Sequence, residues 1–349
     1  MRKVIEGYKS FPGEHCGSVA MRGLLHHYCG LELPEAAVFG LGAGAASVYL
    51  SGPALQPGAT LFGRTMNMEQ DLARHLDVDY REERVPDDDE AWRIARDEIL
   101  ADRPTMLSGD ILYLDYREYK VHFPGHRFVL LGFDDEAGKA FIADRIRPEP
   151  EICSLGALRT SRNPPEGLST QNLWGRFHGT SVGRELVDAA RMAIASCAQA
   201  MLAAADEDAD AISQPGAQPS PEMRVVTGIR GVRAFAEDIP GWQHRDDRNA
   251  LASFNASCLE KFGNGGGNFR RLYSGFLSWA RSLDAQLVPE TAPALSTEAA
   301  DAWTGTSNEL FAASKDGDDP GPWNRAREHA MRAADIEERL FGLLADTAA

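Results

Sequence analysis

The chain has 349 residues, 43% hydrophobic and 25% charged, which suits a soluble globular protein of two domains at roughly one domain per 150 residues. Lys and Arg number 36 against 52 Asp and Glu, and this net charge of −16 argues against a nucleic-acid surface, which needs clustered basic residues. No apolar run approaches the roughly 18 residues of a membrane span. The opening MRKVIEGYKSFPGEHC has no signal-peptide core, so a cytoplasmic protein is expected.

Residues 16–29 carry apolar groups at Val19, Ala20, Leu24, Leu25 and Tyr28, close to a 3.6-residue period, and Gly30 ends the pattern. A shorter helix is expected in LPEAAVFG, then a strand at the end of the glycine-rich LGAGAASVYLSG. FGRTMNMEQDLARHLDVDYREERV reads as a helix followed by a polar-alternating strand. DDDEAWRIARDEILADR reads as a helix whose leading aspartates offer an N-cap and favourable charge at its positive end. PTMLSGDILYLDY, HRFVLLGFDD and KAFIADR are strand-like, and DDEAGK joins the last two with hairpin-turn chemistry. One leading helix and paired strands predict an α+β domain over residues 1–160 with an antiparallel sheet. A mainly α-helical domain is expected over 165–345. Within it, DEDADAISQPGAQPSPE reads as a mobile loop, and MRVVTGIRGVRAFAEDI as one of several helices.

The five cysteines, Cys16, Cys29, Cys153, Cys197 and Cys258, are odd in number and dispersed. No pair has metal-ligand spacing, so neither a metal site nor a disulfide framework is expected. Cys16 stands where the first helix begins, and a helix N-terminus helps to lower a thiol pKa through its N–H groups and dipole. A nucleophilic thiol also needs a base, and the base needs an orienting group. His126 starts one predicted strand and Asp144 ends the next, so the hairpin between them brings the two together. The order Cys, His, Asp, with the thiol on a helix and the others on a sheet, is the papain-type arrangement. Taken singly, each has a plainer reading: Cys16 as a buried thiol, His126 as a strand cap, and Asp144 as a member of a turn or a surface pair.

HCGSVAMRGLLHHYCGLELPEAAVFGLGAGAASVYL resembles the opening of the butirosin-biosynthesis acyltransferase H (BtrH-like) family. GDILYLDY followed by HFPGHRFVLLGFDDEAGKAFIADR resembles the later part of the same domain. KFGNGGGNFRRLYSGFL is similar to the signature of the family's helical, DUF4872-type C-terminal domain. The resemblance implies a papain-like N-terminal domain and acyl transfer. An acyl group would pass from an acyl carrier protein (or coenzyme) thioester to Cys16 and then to a small-molecule amine, forming an amide. It makes Cys16 the nucleophile, His126 the base and then acid, and Asp144 the orienter. No bound cofactor is implied; the phosphopantetheine belongs to the donor substrate. Membrane and nucleic-acid partners are not expected, and homo-oligomer formation is left open.

SFPGEH, before Cys16, lacks the Gln that papain-like enzymes often use at the oxyanion. His15 is a candidate donor there, or else fixes its loop by a backbone hydrogen bond. Gly42 and Gly44 are read as allowing a close backbone passage, either against the helix of Cys16 or along a pantetheine arm. The glycine-rich turn before Arg270 and Arg271 is either a site for the pantetheine phosphate or a tight turn whose arginines pair with local acids. Asp110, Tyr113 and Tyr116 alternate, and Asp110 either binds the acceptor amine or lies on a solvated strand face. The competing activity is a cysteine hydrolase or peptidase with the same triad, in which water resolves the acyl-enzyme.

Overall fold

A computed structural model describes all residues except 54, 167–168, 204–222 and 349. In chain order the elements are β1 (Arg2–Val4), α1 (Cys16–Cys29), α2 (Glu35–Leu41), β2 (Ala45–Ser51), β3 (Ala59–Arg64), α3 (Met68–Leu76), β4 (Tyr80–Glu83), α4 (Asp88–Leu100) and β5 (Thr105–Gly109). A 3₁₀ turn (Ile111–Tyr113), β6 (His126–Asp134), β7 (Lys139–Ala143), β8 (Glu151–Ser154), α5 (Leu155–Arg162) and β9 (Trp174–Phe177) follow. The remainder is α6 (Leu186–Leu202), β10 (Arg224–Thr227), α7 (Gly228–Trp242), α8 (Arg248–Glu260), α9 (Arg270–Leu283), α10 (Ala292–Ala313) and α11 (Pro320–Ala348). The protein is therefore α+β, with antiparallel sheets and helices dominating the C-terminal part. The expected mobile loop lies outside the described residues.

The chain forms two compact units, residues 1–35 with 77–183, and 36–76 with 184–349. This division differs from a linear cut near residue 160. β9, in the stretch expected to be helical, pairs with β4 and β5 and so extends the first unit's sheet. Residues 36–76 instead belong with the C-terminal helices, because β2 and β3 complete a sheet whose third strand is β10. β10 also replaces the first part of an expected helix; the branched Val225 and Val226 suit a strand, and left-handed Gly228 (φ +60°) opens α7.

In the first unit the sheet order is β4-β9-β5-β6-β7-β8, all antiparallel. β1 extends it along β6, pairing residues 132–134 beyond the reach of β5, which pairs residues 126–130. α4 and α5 cover a core of Leu107, Phe128, Leu130, Phe133, Ile142 and Trp174. Each such large apolar side chain contributes about 1.5–3 kcal/mol when fully buried. The α4 N-terminus forms as its acidic run predicts, with Asp87 accepting the Glu90 N–H at 2.8 Å. The β6–β7 turn closes as its sequence predicts: Asp134 accepts the Ala137 N–H, and Gly138 takes φ +63°.

GDILYLDY departs from the strand expectation. β5 stops at Gly109 because the Asp110 carboxylate accepts the Leu112 N–H and folds the next residues into the 3₁₀ turn. The second unit packs α6 to α11 about its three-stranded sheet, with α10 and α11 running along each other.

Candidate active site

The first unit carries Cys16 as the first residue of α1, 7% exposed. The turn before it is held from several sides. His15 is the N-cap: its Nδ1 accepts the Ser18 N–H at 3.3 Å and lies 2.9 Å from the Ser18 hydroxyl. The Glu35 carboxylate, 20 residues later, accepts the N–H of His15 at 2.7 Å and that of Glu14 at 3.0 Å. Burial raises the Glu35 pKa, while these N–H bonds pull it the other way. A Cβ at Gly13 would stand 2.3 Å from Glu35 Oε2 and 2.6 Å from Val19 Cγ2, so a larger residue there would displace the carboxylate that holds the loop. The Gly13 N–H donates to the carbonyl of Arg145 at 2.8 Å, which ties the loop of Cys16 to the residue after Asp144.

His126 opens β6 and Asp144 follows β7, and both are 4% exposed. Their side chains meet with His126 Nε2 3.0 and 3.1 Å from the two Asp144 oxygens. Asp144 also accepts the Arg145 N–H at 2.7 Å and the Tyr116 hydroxyl at 2.9 Å. Burial alone would raise the Asp144 pKa, but the His126 charge and these hydrogen bonds outweigh it and hold the carboxyl well below the usual range. Burial likewise opposes the charged form of His126. The Asp144 charge and hydrogen bond, with a hydrogen bond to the Cys16 sulfur, win and push the imidazole up to about 10. The Tyr116 hydroxyl is raised by burial and by Asp144, so it stays protonated and able to donate. A cleft lined by Ser10, Phe11, Cys16, Val19, Ala20 and Asp144 opens at the thiol, with Arg127, Ala143 and Arg145 completing its wall.

Cys16, His126 and Asp144 are thus brought together, and the arrangement suits nucleophilic attack on an acyl carbon. The other cysteines lack such surroundings. Burial pushes Cys153, Cys197 and Cys258 up to about 12 and raises Cys29. Thiols so raised are poor nucleophiles.

Several expected substrate contacts need correction. Arg270 is fully buried in the second unit and pairs with Glu337, Nε to Oε1 at 2.7 Å. It also donates to the carbonyls of Ala46, Gly63 and Asn268 and to the Ser47 hydroxyl, so no donor is left for a phosphate. Arg271 pairs with Asp301 and donates to Thr304. Gly42 and Gly44 are buried in that unit, where a Cβ would strike Met68 and Phe39 respectively. Their close approach is therefore to those residues and leaves no surface for a pantetheine arm.

Asp110, 1% exposed, caps Leu112, accepts the Phe123 N–H and faces His122, so its carboxylate is filled by its own loop. Tyr113 lies on the 3₁₀ turn with its ring centroid 6.0 Å from that of His122. The hydrogen bond of Tyr116 to Asp144 and the grip of Glu35 on the Cys16 loop carry no local signal in the sequence: ILYLDY has strand character, and nothing beside Glu35 marks a partner 20 residues back.

Two family models match the chain. One, described as Butirosin biosynthesis protein H, N-terminal, covers residues 15–145, from the cap of α1 through Asp144. The other, described as Domain of unknown function (DUF4872), covers residues 157–344, more than half of the chain. No curated protein matches it. With both domains present in this order, the chain belongs to the butirosin biosynthesis protein H-like family, whose N-terminal domain is followed by a domain of unknown function of the DUF4872 kind.

Proposed function

We propose that this protein is an amide-forming acyltransferase of specialised-metabolite, antibiotic-type biosynthesis, with a papain-like N-terminal domain. The observation that carries the reading is the buried Cys16–His126–Asp144 group, with the sulfur at a helix N-terminus and the imidazole fixed by a carboxylate. With Nε2 of His126 on Asp144, Nδ1 is the nitrogen that faces Cys16. The raised imidazole pKa favours a thiolate–imidazolium pair.

In this mechanism the Cys16 thiolate attacks the thioester carbonyl, forming a new C–S bond, and the pantetheine thiol leaves with the His126 proton. An amine then attacks the acyl-cysteine. Its proton passes to His126, the C–S bond breaks, and the amide departs as the thiolate is restored. Thioester exchange is near neutral in energy and amide formation is downhill, so no further energy source is needed. His15 Nδ1 is engaged with the Ser18 N–H, and the oxyanion would fall first to the backbone N–H of Cys16 at the start of α1. The donor is an acyl carrier protein bearing phosphopantetheine, and the acceptor a small amine. The family name supports the biosynthetic setting.

Intact-protein mass spectrometry of wild type and Cys16→Ala, mixed with acyl-carrier and acyl-coenzyme thioesters, tests the reading. The expected result is an adduct on wild type alone, discharged by an amine into an amide. Discharge by water only would favour the hydrolase, and a Cys16 inert to thioesters and iodoacetamide would end the catalytic reading.

A further inference from the structure

We propose that His122, oriented by Asp110, is a second general base that deprotonates the acceptor amine before it attacks acyl-Cys16; this rests on the acyl-transfer reading above. Asp110 is 1% exposed, and its Oδ1 is occupied by the N–H groups of Leu112 and Phe123. Oδ2 lies 2.7 Å from Nδ1 of His122, whose side chain is half exposed. A buried carboxylate thus fixes an imidazole by one nitrogen and leaves Nε2 for proton exchange at the surface. The backbone anchors this pair firmly, since the Asp110 N–H donates to the Ser161 carbonyl at 2.8 Å and the Asp110 carbonyl accepts the Ser161 hydroxyl at 2.9 Å.

The position relative to the triad follows from strand register. Gly109 is the direct partner of His126 in the β5–β6 ladder. Asp110 is the next residue, so its Cα lies within about 9 Å of that of His126. The loop from Asp110 returns through His122 to enter β6 at His126. Two His–Asp pairs therefore stand at the same end of the neighbouring strands β5, β6 and β7, one buried with the thiol and one half exposed.

The chemistry gives the second pair a task. An alkyl amine at neutral pH is an ammonium ion, with a free-base fraction of roughly 10⁻³. Forming the amide requires the loss of two protons. His126, neutral once the pantetheine thiol has left, takes the one released as the C–N bond forms and the C–S bond breaks. The earlier proton passes from the ammonium to Nε2 of His122, which holds it while the amine attacks and then releases it to solvent. Cys16 leaves as thiolate beside His126 imidazolium, which restores the resting pair.

The test is rapid-quench mass spectrometry at pH 7 with an N-acetylcysteamine thioester as donor. Acyl-Cys16 is followed in wild type, His122→Gln and His122→Phe, and discharged either by propylamine or by the weakly basic aminoacetonitrile. The expected result is that both variants acylate Cys16, that discharge by propylamine falls at least tenfold, and that discharge by aminoacetonitrile, already unprotonated, stays within twofold. Equal loss with both amines, or no loss with either, would overturn the role of His122 and leave acyl transfer standing. Absence of acyl-Cys16 in wild type would overturn the underlying reading, and this proposal with it. Should neither variant fold, wild type alone decides: propylamine discharge independent of pH between 6.5 and 8.5 supports a protein base, while a tenfold rise per pH unit, following the free amine, overturns it.

Discussion

Cys16, His126 and Asp144 depend on one another unequally, and their substitution should show it. Cys16→Ala should abolish the proposed acyl transfer. Asp144→Asn should retain the fold and the thiol yet lower kcat/KM by about 10³–10⁴, because a neutral amide no longer favours the imidazolium. Single-turnover acylation separates this from lost binding, and an effect under tenfold would remove Asp144 from the mechanism. Tyr116→Phe removes one of the hydrogen bonds that hold Asp144 charged and should cost about 1.5–3 kcal/mol in urea unfolding. At this scale the meeting of His126 and Asp144 follows from the sequence, because hairpin chemistry and strand order bring a residue starting β6 beside one that follows β7. The burial of Arg270 does not: an arginine after a glycine turn looks the same in sequence whether it faces solvent or a buried glutamate.

Among the elements, α1 and the loop before it carry the site. Glu35 is the grip on that loop, so Glu35→Ala should release the N–H groups of Glu14 and His15, slow Cys16 acylation about tenfold and lower stability by about 1–3 kcal/mol. Paired measurements of the urea midpoint and the acylation rate check this. A loss of stability with an unchanged rate would make Glu35 structural only. Helix α1 was legible from end to end, from apolar period to the left-handed Gly30 that closes it at φ +64°. The 3₁₀ turn after β5 was not, because ILYLDY has strand propensity, and only the Asp110 side chain diverts the backbone.

Over the whole molecule, two buried charge pairs should set the response to pH and substitution. The folded His126 imidazole titrates near 10, against about 6.5 in an unfolded chain. Its stabilisation is therefore complete below about pH 6.5 and is lost as pH rises through 10. Asp144, depressed by its partners, contributes above about pH 4 and loses its contribution on acidification below that. Wild-type Tm should fall between pH 7 and 10, and the fall should be shallower in His126→Gln; equal slopes would sink the assignment. In the second unit, Glu337 receives Arg270 and, at 2.6 Å, the Trp303 N–H. Arg270→Met alone should cost about 3–5 kcal/mol by stranding a buried carboxylate, whereas joint replacement of both partners should cost much less. Urea unfolding of the single and double variants compares the two.

By itself the sequence determined the α+β class, the helix that presents Cys16, the hairpin that joins His126 to Asp144, and the helical character of the C-terminal half. These follow from local periodicity, caps and turn residues, which act within a few positions. Tertiary structure alone decided that residues 36–76 complete the second unit's sheet, that β9 returns to the first, that Arg270 is an internal tie, and that Asp110 holds His122. Strand partners and buried ion pairs join residues tens to hundreds of positions apart. Propensity carries no record of that distance, and only the packed chain selects among partners that are locally equivalent.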